Sequence, residues 1–297
     1  MTRQTPHWSI VVPTYGRGAA LPGLLDALCV MQAPTGGFEV VLVDDGGPEP
    51  LDTIVEPFMG RLDLKLYRKT NGGPASARNF GVAQARGEWI ALTDDDCRPH
   101  AEWLVQLAAA AAVDPQAMIG GQTDNGLSDN LFSESSQLLV DYLYARGQGV
   151  AGRLDFITSN NMALSRAGFL AIGGFDEHFP LAAGEDRDFC DRWRDADGAI
   201  VFEPAARIDH FHTLDARGFW RQHRNYGRGA VRVHDQRTAA STAGSRFERL
   251  SFYAGLVAYP VTAGERQPWR KSALLAVSQA ATTAGYLGEL VARKRRG

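Results

Sequence analysis

The chain is short of several things that would assign it to a simple class. Only three cysteines occur in 297 residues, and Cys29, Cys97 and Cys190 are far apart in sequence. An odd, scattered set argues against a disulfide framework or a zinc cluster and for a reducing compartment. The net charge is only −3, so no global field favours nucleic acid. The first residues, Met1 to Trp8, lack the charged-then-apolar pattern of a secretory leader, so the expectation is a cytoplasmic protein or one lying on the cytoplasmic face of a membrane. No strongly apolar run reaches the ~20 residues of a membrane span. No Gly-x-x-x-x-Gly-Lys-Ser/Thr occurs, and the turn after the first apolar run is Pro13-Thr-Tyr-Gly-Arg-Gly18 instead of a dinucleotide fingerprint. A P-loop nucleotidase and a nicotinamide dehydrogenase are therefore disfavoured. A sugar-nucleotide pyrophosphorylase would want a more glycine-rich, basic first loop.

What is present is a repeated grammar. Trp89-Ile-Ala-Leu92 is a short apolar run that ends in Asp94, Asp95 and Asp96. Its length and flanks predict a buried strand. Phe38 to Val43 is another apolar run, and it ends in Asp44, Asp45 and two glycines. In an open α/β sheet, ligands bind beyond the carboxyl ends of strands, so two such ends point at one crevice. Crowded carboxylates repel and are costly to desolvate without a cation. Two readings of the triplet stand: a solvated acidic loop, or a site for Mn²⁺ or Mg²⁺.

The rest of the chain alternates. Strands are expected at Trp8–Pro13, Leu62–Arg68 and Met118–Thr123, and helices at Ala19–Met31 and Ala101–Val113. Asn71-Gly-Gly-Pro-Ala-Ser-Ala-Arg-Asn79 predicts a tight loop feeding a helix that stops near Gly87, with Pro74 in its first turn. Arg78 then lies one turn in from an anion-attracting helix end, either as a phosphate contact or as an ordinary surface arginine. This alternation predicts an α/β fold with a mainly parallel, twisted sheet. Asp155 to Ser165 reads as a strand, though Asn160 and Asn161 are unusual within one, fitting a site or a turn equally. Glu185 and Asp186 open a helical pattern, where acids suit the dipole. Ala199 to Phe202 is a short expected strand. It is followed by His210 and His212, which would face the same way on a strand and are candidate metal ligands. Beyond the basic, aromatic stretch at Phe219 to Gly229, residues 272–288 carry no charge and precede Arg293-Lys-Arg-Arg296. That tail reads as an amphipathic helix on an anionic membrane, or as a helix packed on the protein or on a second subunit in a homodimer.

Val12-Pro-Thr-Tyr15, Val43-Asp-Asp-Gly46, Gly73 to Asn79, Asp94-Asp-Asp96, Gly174-Phe-Asp176 and Gly184-Glu-Asp186 together resemble the family 2 glycosyltransferases of GT-A fold, from about Trp8 to about His234. The resemblance implies a GT-A domain over residues 1–235, with a nucleotide half to about 123, an acceptor half from 124, and a C-terminal helical extension over 236–297. It implies that Pro13, Thr14 and Tyr15 line a nucleoside pocket and that Asp45 or Asp44 reads the base. Gly73, Arg78, Asp94 and Asp95 fall to the donor. Asp96 would hold the metal, with His210, or His212 as second choice, completing its ligands. Asp186 would be the catalytic base, and Asn161, Gly174, Phe175, Asp176 and Glu185 would face the acceptor. The implied reaction is inverting and metal-dependent. It moves a sugar from a nucleoside diphosphate, UDP first among the candidates, to a glycan, lipid-linked or small-molecule hydroxyl. The Gln-x-x-Arg-Trp motif of processive members is reduced here to Gln222-His-Arg-Asn-Tyr226, which implies a non-processive enzyme. The rival from another class is an inactive relative that binds nucleotide or glycan, or scaffolds an assembly.

Overall fold

The computed structural model describes residues 7–147, 154–179, 183–239 and 248–295. In chain order its elements are β1 (Trp8–Thr14), α1 (Leu21–Val30), β2 (Phe38–Asp44), α2 (Asp52–Val55), β3 (Leu64–Arg68), α3 (Pro74–Gln84), β4 (Trp89–Leu92) and β5 (Cys97–Pro99). Then follow α4 (Trp103–Val113), β6 (Met118–Asn125), α5 (Leu131–Gly147), β7 (Met162–Ser165), α6 (Arg166–Ala171), α7 (Glu185–Asp195), β8 (Ile200–His210), α8 (Ala216–Ala239), α9 (Leu250–Thr262) and α10 (Pro268–Lys294). The chain forms two compact units. The first comprises 1–124, 147–180 and 185–211; the second comprises 125–146, 181–184 and 212–297. The stretch from 124 to 235 thus contributes to both.

The first unit is built on one eight-stranded sheet of order β3-β2-β1-β4-β7-β6-β8-β5. β1 pairs in parallel with β2 and β4, and β2 with β3. This is the parallel half expected from the alternation of strands and helices. Beyond β4 the sheet is mixed, because β7 runs antiparallel to both β4 and β6, and β5 to β8. β1 is buried along its whole length, as a continuous apolar run requires. Leu21, Leu24, Leu25 and Leu28 put the buried stripe of α1 into the core with Ile10, Val12, Val40 and Leu42. The helical spacing read from the sequence is that stripe.

Two expected strands changed form. The asparagine pair lies in a 3-10 turn, Ser159–Asn161, so the strand begins only at Met162. The short strand expected at 199–202 runs on to His210, continuing past Pro204.

The second unit is helical. Leu138, Tyr142, Phe252, Leu256 and Leu275 form a core between α5, α9 and α10. α8 and α10 approach closely where Gly227 and Gly285 face backbone: a Cβ on either would lie within 2.0 Å of the carbonyl oxygen of Thr282 or Arg224. Lys271, buried at the start of α10, is held by Glu134 and Glu265, each at 2.7 Å. No described helix is long and apolar enough to cross a membrane.

Candidate functional site

The carboxyl ends of β1, β2 and β4 lie side by side, because Thr14 pairs with Asp44 and Val11 with Leu92 in parallel register. The sheet thus brings the Asp94–Asp96 turn beside the loop that follows β1. Asp95 is fully buried and Asp96 nearly so. Burial pushes the Asp95 carboxyl up to about 6, opposed chiefly by the positive charge of Arg17.

Arg78 is the centre of the constellation. It sits in the second turn of α3, whose start is set by Gly73, at φ +88°, a backbone conformation that side-chain-bearing residues resist. The side chain is only 5% exposed. Its Nη2 donates to Asp94 Oδ1 at 2.7 Å, and its Nη1 lies 3.6 Å from Glu185 Oε1. The guanidinium also lies over the Phe175 ring, 5.7 Å from its centroid. The charges of Asp94, Asp186 and Glu185 outweigh burial and hold the guanidinium firmly protonated. Arg78 is therefore no surface arginine. It ties the acid triplet to the start of α7.

Asp186, in the first turn of α7, accepts from the Ser159 backbone N–H at 3.1 Å through Oδ2. Burial raises its carboxyl above the ordinary range, with Arg78 and Ser159 opposing. A buried carboxylate whose affinity for protons is raised has the character of a general base.

His210 closes β8. Its Nε2 lies 3.2 Å from Asp96 Oδ1, and β5 and β8 hold the two in register, Cys97 opposite His210. A carboxylate and an imidazole at that spacing form a mixed oxygen and nitrogen donor pair. It fits Mn²⁺, and its oxygens fit Mg²⁺. His212 lies past the end of the strand, in the second unit. There its Nε2 is 3.0 Å from Gln222 Oε1, and Gln222 Nε2 donates to Tyr226 Oη at 2.6 Å and Ser136 Oγ at 3.2 Å. The strand stops at His210, so His212 lies just past its end.

The other expected site residues have these partners. Asp45 is spent on the protein itself: it accepts from Lys69 Nζ at 2.8 Å, from Gly73 N at 2.7 Å and from Gly72 N at 3.0 Å. It clamps the glycine loop. Asp44 accepts from Gly47 N at 2.8 Å and faces Arg68 at 3.3 Å. Asn161, expected on the acceptor side, is buried. Its Oδ1 accepts from Trp103 Nε1, and its Nδ2 donates to the carbonyls of Gln122 and Ala206. It is a joint between α4, β6 and β8. Phe175 is buried, stacked on Phe189 with centroids 4.5 Å apart. Asn79 grips the Phe175 backbone by both its N–H and its C=O, which fixes the turn at Gly174. Asp176 Oδ1 accepts from the His178 N–H at 2.9 Å. Glu185 belongs to the Arg78 cluster. Pro13 and Thr14 end β1 inside the sheet, and Tyr15 is more than half exposed beyond it.

Sequence reasoning missed Arg17. From the loop after β1 it reaches Asp95 and Asp96: Nη2 lies 2.5 Å from Asp95 Oδ1, Nη1 donates to Asp96 Oδ2 at 2.7 Å, and Nε donates to Asp95 Oδ2 at 3.3 Å. The available signal was a cation in a glycine-flanked loop at the carboxyl end of the strand next to the acids.

An α/β sheet that gathers carboxylates, an arginine and a buried aspartate at its carboxyl edge defines a nucleotide-binding type of fold. Residues 9–172, more than half of the chain, match the model of the family described as "Glycosyl transferase family 2", and the chain belongs to that family. It is 26% identical over 234 residues to the chondroitin synthase of Escherichia coli, covering 65% of this chain and 34% of that protein. It is 27% identical over 247 residues to the pre-mycofactocin glycosyltransferase of Mycobacterium tuberculosis, covering 78% of this chain and 49% of that protein. The chain thus spans half or less of the length of these curated relatives. Among solved structures, the mannosyltransferase PcManGT from Pyrobaculum calidifontis, in complex with GDP-Man and Mn²⁺, superposes with a TM-score of 0.70 at 18% identity, covering 95% of this chain and 87% of that one. Staphylococcus aureus TarS 1-349 in complex with UDP-GlcNAc gives 0.55 at 21%, covering 97% and 91%. These likenesses are of fold.

Proposed function

We propose that the chain is an inverting, non-processive glycosyltransferase that moves a sugar from a nucleoside diphosphate to an acceptor hydroxyl. The observation that carries this reading is the buried Arg78. It joins Asp94 of the acid triplet to the helix start that bears Asp186, within one compact unit. Two of the fold neighbours are seen in complex with GDP-Man and with UDP-GlcNAc, which supports a nucleotide-sugar donor and keeps UDP first with GDP beside it.

Asp186 takes the proton of the acceptor hydroxyl as the oxygen attacks the anomeric carbon. Its raised proton affinity suits that role. Arg78 holds Asp94 in place and supplies positive charge beside the departing diphosphate. Thr14 and Tyr15 form the floor and rim of the nucleoside pocket. Asp96 and His210 are the metal ligands. A divalent cation held there would stabilise charge on the leaving diphosphate. No covalent sugar–protein bond is needed, so one displacement inverts the anomeric centre, as in inverting hydrolysis with an acceptor in place of water.

The acceptor is a glycan or lipid-linked glycan. The uncharged outer face of α10, with Leu287 and Val291 exposed ahead of Arg293 and Lys294, supports peripheral contact with an anionic membrane. Flotation with phosphatidylglycerol vesicles should decrease in a Leu287→Asp, Val291→Asp double variant. Equal flotation would contradict the contact.

The test of the main reading is release of nucleoside diphosphate from a panel of UDP- and GDP-sugars with Mn²⁺, in the presence of oligosaccharide acceptors. Acceptor-dependent release that disappears in Asp186→Asn supports the reading. Equal release by the variant rejects Asp186 as base, and no release by the wild-type protein favours a binding or scaffold protein.

A further inference from the structure

Arg17 has no part in the motifs that brought the site to light, yet it makes three contacts to the acid triplet across about eighty residues of sequence. Its own side chain is 46% exposed, whereas Asp95 and Asp96 are 0% and 8% exposed. Each of the three guanidinium nitrogens therefore touches an acid, while the side chain stays partly open to solvent. A guanidinium carries five N–H donors in a rigid fork, so three contacts leave two for an anion. The two oxygens of Asp96 face different partners: Oδ2 takes Arg17, and Oδ1 faces His210. A cation bound at the Asp96–His210 pair would thus share a single carboxylate with a permanent positive charge. Like charges a few ångströms apart repel by several kcal/mol at the effective dielectric of a protein surface. An anion bound across both would relieve that repulsion.

We propose that Arg17 is a diphosphate-binding residue that couples metal binding to nucleotide binding: alone it opposes a cation at Asp96, and with a nucleoside diphosphate present it grips the phosphates beside the cation. This rests on the glycosyltransferase reading of the site. Arg17 keeps its hold on Asp95 through Nη2 and Nε, so it needs no large movement to present its remaining N–H groups. The site then fills in concert, cation and diphosphate together.

The experiment is titration calorimetry on the full chain with Mn²⁺ alone, with UDP or GDP alone, and with each nucleotide at saturating Mn²⁺, for wild type, Arg17→Ala and Arg17→Lys. The melting temperature of each variant, without ligands, checks the fold. Arg17→Ala should bind Mn²⁺ alone several-fold more tightly and the nucleotide in Mn²⁺ about ten- to a hundred-fold more weakly, the loss expected for one or two hydrogen bonds to a charged group. Arg17→Lys keeps the charge and loses the fork, so it should retain the weak binding of Mn²⁺ alone and still lose part of the nucleotide affinity. Opposite signs for the two ligands are the signature of coupling. If both affinities fall together, Arg17 merely holds the acids in place, and if neither changes it is a surface arginine; either result overturns the proposal while leaving the donor-site reading intact. If the wild-type protein binds neither nucleotide with Mn²⁺, the reading and the proposal fall together.

Discussion

Two strands of the same sheet end in acids, and they put those acids to different uses. At the end of β2, Asp45 is surrounded by donors from its own neighbourhood: the Lys69 ammonium and the backbone N–H groups of Gly72 and Gly73. Asp44 is held by Gly47 N and Arg68. At the end of β4, Asp94, Asp95 and Asp96 are met chiefly by the side chains of Arg78, Arg17 and His210, which come from distant parts of the chain. Acids answered by backbone amides fix a loop. Acids answered by movable cations at a crevice can exchange those cations for a ligand. The same local pattern therefore marks a structural clamp in one place and a candidate binding site in the other, and only the partners tell them apart.

The comparison can be broken, or sharpened, in several ways. The largest effect expected is on catalysis. Asp186→Asn should lower transfer by about 10²- to 10⁴-fold, the usual contribution of a general base, with donor affinity kept. In the wild-type protein the acid limb of the rate profile should lie above the ordinary carboxylate range, because burial raises the Asp186 carboxyl and the base must be ionised to act. Rate measurements from pH 4 to 8 check this; a limb at an ordinary carboxylate value would contradict it.

Arg78→Ala comes next. It strands Asp94 and Glu185 beside a buried gap, and removing one partner of a buried ion pair costs about 3–5 kcal/mol. Denaturant unfolding reads this directly, and a loss below 1 kcal/mol would mean that the acids find water instead.

A group in the second unit gives a contrast without any ligand chemistry. His223 on α8 is fully buried against Phe219 and Tyr226, and neither ring nitrogen has a hydrogen-bond partner among the described residues. Burial lowers its pKa from 6.5 to about 4. Between those values the unfolded chain binds the proton and the folded one does not, so stability is kept above pH 6.5 and is lost as pH falls toward 4. The loss amounts to about 3 kcal/mol at 1.36 kcal/mol per unit. The stability difference between wild type and His223→Phe should change by that amount across the window. A pH-independent difference would show that the ring is hydrated.

The smallest effects decide the comparison itself. Asp45→Asn should cost about 1–3 kcal/mol, because donors lose a charged acceptor, and it should leave Mn²⁺ affinity unchanged. Asp96→Asn should do the reverse, leaving stability unchanged or raised, as binding sites commonly trade stability for function. Unfolding curves and Mn²⁺ titrations of the pair would erase the distinction if both variants behaved alike.

The acid-ended strands, the leucine stripe of α1, the glycine loop before α3 and the helix opening at Glu185 were legible in the sequence, since each is a local pattern of apolar spacing, turn residues or caps. The partners were not. Arg17 to Asp95 and Lys69 to Asp45 are long-range pairings that no local rule specifies, so neither could be read from the sequence. Asn161 stood out as a residue ill-suited to a strand, but that oddity carried two meanings. The structure places it in the 3-10 turn Ser159–Asn161, where its buried amide also ties three elements together. β8 ends between His210 and His212, a boundary that strand propensity sets poorly.

The central claim is that the end of β4 is a metal-dependent diphosphate site. Thermal shift and calorimetry of UDP and GDP, each with and without Mn²⁺, on wild type and Asp96→Ala test it most directly, since a ligand of the folded state raises stability by RT ln(1 + [L]/Kd). The account predicts that one nucleotide stabilises the wild-type protein strongly only when Mn²⁺ is present, and that this increment vanishes in Asp96→Ala. Equal stabilisation with and without Mn²⁺, or an increment that survives in Asp96→Ala, would contradict it.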